Sequence, residues 1–141
     1  MNRQILFRGK RVDNGEWVYG YLVEATNVIT DKKATFIIEQ DATYYTHGEF
    51  ACSFEVKPET VGEFTNLTDK NGNKIFEGDI VKSCFRSDAC KEPMTVEFRI
   101  ERGGWFPFAC GDGCGCCEED TYLPISVEVI GNIYDKEEKE K

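Results

Sequence analysis

The stretch Val56–Lys82, VKPETVGEFTNLTDKNGNKIFEGDIVK, carries more position-specific backbone signals than any other window of the chain. Within it, Asp69-Lys70-Asn71-Gly72 holds an Asn-Gly pair, two residues that tolerate positive φ, between an apolar-containing run ending at Leu67 and another starting at Ile75. That arrangement predicts a hairpin turn. Glu77-Gly78-Asp79 then precedes Ile80-Val81, a tight turn that delivers the chain into a short β-branched strand. Pro58 fixes its own φ and pushes Lys57 towards an extended conformation, so the strand containing Val56 is expected to end there and a new one to begin near Thr60.

Working outward, the same chemistry recurs near the N-terminus. Ile5–Val12 alternates loosely, and Asp13-Asn14-Gly15 makes a second turn before Glu16-Trp17-Val18-Tyr19-Gly20-Tyr21-Leu22-Val23, which predicts a hairpin. In its second strand Trp17, Tyr19, Tyr21 and Val23 share one face while Val18 and Leu22 share the other, so both faces want cover. Gly20 in the middle marks a bulge or a close backbone approach. Asn27–Thr30 reads as a short extended piece, Asp31-Lys32-Lys33 as a polar turn, and Ala34–Gln40 as a strand. Phe50, Cys52, Phe54 and Val56 alternate with small or polar partners, which makes Cys52 a core thiol. Downstream, Ile80–Phe85 and Met94–Ile100 read as strands, with Val96, Phe98 and Ile100 on one face, and Val127, Val129 and Ile133 belong to a last strand.

No internal repeat and no long 3.6-residue stripe appears, so the fold class is all-β. Ten Phe, six Tyr and two Trp against two Met agree with a β-rich core. At 141 residues the chain suits one domain or two small subdomains, burying roughly two thirds of its unfolded surface. A formal charge of −9 opposes indiscriminate binding to a phosphate backbone, so nucleic acid is disfavoured as a partner. No run approaches the ~20 apolar residues of a membrane span, and MNRQILFRGKR lacks the apolar region of a secretory signal, so a cytoplasmic location with no membrane partner is expected. In that reducing compartment seven Cys, an odd count, read as thiols or metal ligands.

The run PETVGEFTNLTDKNGNKIFEGDIV, with Pro58, Gly62, Asn71, Gly72, Gly78 and Asp79, closely resembles the signature of the YopX family of phage and prophage proteins. Phe7-Arg8-Gly9, Trp17-Val18-Tyr19-Gly20 with Gly15 before it, and Val129-Ile130-Gly131-Asn132-Ile133-Tyr134 look like that family's opening and closing motifs. The resemblance spans nearly the whole chain. It implies a mostly β protein whose second half is similar to an SH3-like barrel, encoded by a phage or prophage, with no established biochemical function. The expected division is an N-terminal sheet of hairpins over 1–64, the barrel over 65–134 and a charged tail over 135–141.

Two clusters are candidates for chemistry. Cys110, Cys114, Cys116 and Cys117 lie in a Gly-rich loop as C-x₃-C-x-C-C. Cys110 and Cys114 joined by Cys84 and Cys90 would complete a tetrahedral zinc set, while adjacent Cys116 and Cys117 are poorly spaced for joint ligation. The competing reading is a set of reduced loop thiols with no cofactor. The loop departs from the family pattern, which makes it an accessory feature. Glu118-Glu119-Asp120 follow it and would raise the thiol pKa values, which argues against thiol catalysis. His47 is the sole histidine, and no G-x-S-x-G, phosphate loop or H-E-x-x-H is present. The chain is therefore read as a non-enzyme.

The second cluster is Arg3, Arg8, Lys10 and Arg11, with Trp17 and Tyr19 close by in the hairpin. A basic-aromatic face binds single-stranded nucleic acid through stacking and phosphate contact. The blander reading is a solvated edge strand protected by charge. The expectation is a non-catalytic binding module that forms a homo-oligomer and meets a protein partner of phage or host. The alternatives are a nucleic-acid-binding accessory protein and a zinc or thiol protein.

Overall fold

The computed structural model describes residues 3–44, 46, 50–83, 93–108 and 124–135. Those residues are mostly β, in antiparallel pairs. The chain divides into two compact units, Met1–Phe64 and Thr65–Lys141.

In the first unit β1 (Phe7–Lys10) and β2 (Trp17–Thr26) form the hairpin expected around Asn14-Gly15, with Phe7 opposite Gly20 and Lys10 opposite Trp17. Only Gly15 takes positive φ, at 73°. The Asn14 carboxamide instead caps the loop by accepting the Glu16 N–H at 2.9 Å. β3 (Lys33–Glu39) pairs with β2 from Gly20–Glu39 to Thr26–Lys33. Asn27–Thr30, expected to be extended, is the loop of this second hairpin. Asn27 Oδ1 accepts the N–H groups of Ile29 (2.8 Å) and Thr30 (3.0 Å), and those side-chain bonds close a turn in place of a ladder.

β4 (Ser53–Glu55) adds to β3. Cys52 is not the core thiol that the alternation implied. It is exposed, with φ at 59°, and that left-handed residue breaks the period-2 pattern before Ser53. Phe50 is exposed as well, whereas Val56 is buried. Beyond β4 the chain returns to β1: Arg11 bridges Val56, Val12 N–H donates to the Glu55 carbonyl at 3.0 Å, and Lys57 N–H to the Lys10 carbonyl at 2.8 Å. The sheet thereby curls back on its first strand around Val18, Ile37 and Val56, with Phe7, Leu22, Phe54 and Val61 packed against them. Pro58 does end the extended run, but Pro58–Thr60 is a 3-10 turn, and the next strand, β5 (Gly62–Thr68), begins two residues later than expected. The Thr60 hydroxyl explains the turn, since it accepts the buried Lys10 N–H at 2.9 Å and donates to the Lys57 carbonyl at 2.7 Å.

In the second unit the end of β5 meets β6 (Lys74–Phe76) across the expected Asn-Gly hairpin. Gly72 has φ 81°, and its N–H donates to the Asp69 carbonyl at 3.0 Å. The buried Asp69 carboxylate accepts from the N–H groups of Asn71 and Asn73, both at 2.9 Å, and from Val129 N–H at 3.0 Å. It thus ties the turn to β11 (Val127–Asn132). β7 (Asp79–Ser83) follows Gly78, and Asp79 Oδ2 accepts Phe76 N–H at 2.8 Å. β7 pairs with β11, the register shifting between Val129 and Gly131, and with β8 (Met94–Thr95).

The expected Met94–Ile100 strand is interrupted. Val96 leaves the ladder to exchange backbone hydrogen bonds with Gly78 and Asp79, and β9 (Glu97–Arg99) pairs separately with β10 (Gly104–Phe106). Val96 is consequently buried while Ile100, in a 3-10 turn, is 85% exposed. Ile133 lies just past β11, where its N–H donates to the Gly78 carbonyl at 3.0 Å. Ile75, Val81, Val96 and Val127 form this unit's core.

Two measurements check these assignments. A Cβ on Gly20 would stand 2.0 Å from the Ile38 carbonyl oxygen, whereas one on Gly15 meets nothing within 4 Å. Denaturant unfolding should therefore show Gly20→Ala destabilising by more than about 2 kcal/mol, through backbone displacement, and Gly15→Ala by about 1 kcal/mol, through positive φ alone. At Asp69 burial opposes ionisation, but the donors from Val129, Asn73 and Asn71 outweigh it and hold the carboxyl below its ordinary value. Its contribution is complete above the unfolded carboxylate range, near pH 4, and is lost as pH falls through the folded value. Asp69→Ala should cost about 2 kcal/mol at neutral pH, and that deficit relative to the native chain should shrink on acidification.

Candidate functional site

Alternation and register together assign every side chain of the first unit's sheet to one of two faces. Val18, Leu22 and Ile37 point to the core around which the sheet curls. The outer face carries Lys10 opposite Trp17, Arg8 opposite Tyr19, Tyr21 opposite Ile38 and Val23 opposite Phe36. Tyr19, Tyr21 and Val23 are 45%, 48% and 38% exposed, a row of large side chains along consecutive outward positions of one strand. Scattered apolar exposure is ordinary on a protein surface, whereas here two tyrosines and a valine occupy adjacent outward positions.

The four candidate cations do not form one surface. Arg8 and Lys10 are 5% and 2% exposed, on a strand flanked by β2 and β5, so β1 is not the solvated edge of the sheet. The Arg8 guanidinium carbon lies 4.7 Å from the Trp17 ring centroid and Lys10 Nζ 5.3 Å from it, and both stems cover apolar surface. Arg11 is committed to Asp13 through Nε–Oδ1 at 2.9 Å and Nη2–Oδ2 at 2.6 Å, and it rests 4.3 Å from the Phe54 ring. That pairing lowers the Asp13 carboxyl below its usual range. Arg3 stands 3.8 Å from Glu63. The structure thus brings Arg8, Lys10, Trp17 and Tyr19 together and leaves Arg3 and Arg11 in separate ion pairs. The sequence missed the burial of Arg8 and Lys10 because charged residues beside a turn scan as solvent-facing, and the aromatic residue on β2 directly opposite Lys10 and diagonal to Arg8 was the available signal.

Cys84, Cys90, Cys110 and Cys114, the zinc candidates, lie outside the described residues, as does His47. Among the described residues no group of three or more His, Cys, Asp or Glu side chains is placed to hold a metal ion, and no helix is long and apolar enough to cross a membrane. Gly15, Gly72 and Gly78 sit at turns with positive φ, Gly62 opens β5, and Gly131 follows the β11 irregularity, so the signature positions shape the backbone. Asp79 and Pro58 join them as turn residues.

The chain belongs to the YopX family: a family model described as YopX protein matches residues 6–139. No curated protein matches the chain.

With Arg8 and Lys10 inside, replacing either should be felt as stability. Arg8→Ala and Lys10→Ala are each expected to lower unfolding free energy by about 1–3 kcal/mol, chiefly through lost packing on Trp17. Retention on single-stranded DNA should be weak in the native chain and unchanged in both variants. Tight binding that falls steeply with salt and disappears in the variants would establish the basic-aromatic cluster as a nucleic-acid site.

Proposed function

We propose that this YopX family member is a phage-type accessory protein acting as a non-catalytic, self-associating binding module whose contact surface is centred on the outer side of β2. The observation that carries this reading is the exposure of Tyr19, Tyr21 and Val23 on a strand whose other side already lines the core. A sheet that has satisfied its inner face leaves the outer row as a surface for another chain. Copies of one chain meet it most economically through closed symmetric contacts. The net charge of −9 supports a protein partner over a polyanion.

Sedimentation velocity at micromolar concentration should report a closed oligomer, and Tyr21→Ser combined with Val23→Ser should weaken it at least about tenfold, a change of ~1.4 kcal/mol. Circular dichroism of the double variant should match the native chain. A native chain that sediments as a monomer overturns the reading.

A further inference from the structure

β11 is the end strand of the sheet β11–β7–β8, and among the described residues no strand pairs with its other side. Its sequence, VEVIGN, is rich in β-branched residues and carries Glu128 as its sole charge. A strand of that composition at a sheet edge invites another extended chain unless something blunts it. Two of its outward backbone groups are in fact taken, and both by the turn between β5 and β6. Lys70 N–H donates to the Val127 carbonyl at 3.0 Å, and Val129 N–H donates to Asp69 Oδ2 at 3.0 Å.

These two bonds have the sense of an antiparallel ladder. A neighbouring strand facing Glu128 would give one N–H to the Val127 carbonyl and accept the Val129 N–H on one of its own carbonyls. Lys70 supplies the N–H, and the Asp69 carboxylate replaces the carbonyl. The two oxygens of that carboxylate divide the work. Oδ1 accepts the N–H groups of Asn71 and Asn73 and closes the turn, whereas Oδ2 faces Val129 N–H and the Asn73 amide nitrogen, the latter at 3.4 Å. Reversal of the chain alone needs a single side-chain oxygen, which asparagine or serine also provides. The second oxygen is used across the gap to β11. Lys70 Nζ and Asn71 Nδ2 add contacts of 3.9 Å and 3.5 Å to the Glu128 carboxylate at the same place.

We propose that the β5–β6 turn is a guard on the β11 edge: Asp69 and Lys70 stand in for a partner strand and keep other chains from adding there. The guard belongs to the second unit and is independent of the self-association reading, which concerns β2. Its release exposes the Val127 carbonyl and the Val129 N–H beside Ile130, which is already 51% exposed. In a solution of the pure protein the only chain available to take their place is another copy, so a released guard is read as association beyond the native state.

The test uses the full chain. Asp69→Asn keeps the shape and one oxygen; the two N–H groups of the turn hold that oxygen, which sets the new NH₂ against Val129 N–H, donor against donor. Lys70→Pro removes the N–H given to Val127. The Gly72 N–H to Asp69 carbonyl bond, with neither Lys70 nor Asn71 at positive φ, makes this a type I turn, whose second position favours proline. Val81→Ala is the control, since it hollows the core of the same sheet and leaves both edge bonds in place. Sedimentation velocity over a concentration series, at a temperature where circular dichroism shows each variant folded, should find Asp69→Asn in species larger than the native chain's own. Those species should assemble with a dissociation constant at least about tenfold below any that the native chain shows for such growth. Lys70→Pro should move in the same direction, and Val81→Ala should sediment as the native chain does. Adding Ile130→Lys, a charge on the exposed part of β11, should return Asp69→Asn to the native size. If Asp69→Asn does not fold, Lys70→Pro alone decides. Native size in the folded guard variants, larger species in Val81→Ala as well, or larger species that persist with Ile130→Lys overturn the guard.

Discussion

The close approach of Gly20 to Ile38 is the contact on which the first unit is built. At this residue β2 holds β1 on one side and β3 on the other, with Phe7 and Glu39 both in register. A side chain there would occupy the position of the Ile38 carbonyl. Because the strand passes from one neighbour to the other at this point, its last six residues project with β3 as a ribbon. The outward row Tyr19, Tyr21, Val23 runs along it. The same passage brings Ile37 under Val18 and lets the chain end of β4 return to Arg11 through Val56. Core, closure and exposed face thus follow from one position without a Cβ.

Turns were the most legible part of the sequence, and the reason is local. Gly15, Gly72 and Gly78 occupy backbone conformations that other residues enter at a cost, so their places show in the sequence without tertiary information. Gly20 announced itself similarly, as a glycine inside an apolar strand. What the alternating pattern could not report was the backbone dihedral of a residue that breaks it. Cys52 has a core residue's spacing but a left-handed φ, and Val96 has a strand residue's spacing but bonds to Gly78 and Asp79. Asn27 was legible in principle, since a short amide before two β-branched residues closes a turn by accepting their N–H groups.

The candidate site was half legible. Trp17, Tyr19, Tyr21 and Val23 were assigned to one face by parity alone, and they share it. Parity does not say which face meets the core, because Val18 and Leu22 are apolar too. Curling of the sheet decides that, and it depends on a bridge between Arg11 and Val56, residues that no local rule pairs. Burial of Arg8 and Lys10 follows from the same long-range geometry. Lysine and arginine stems are apolar, and a tryptophan face attracts their heads, so two cations can be buried at this place.

This distribution of charge bears on the choice of partner. The chain carries 26 acidic against 17 basic residues, and among the basic ones Arg8 and Lys10 have buried side chains that a phosphate cannot contact directly. A polyanion would be repelled at long range and would find few cations at contact. An uncharged apolar surface incurs no such repulsion, and its contact with the row is the less salt-sensitive of the two.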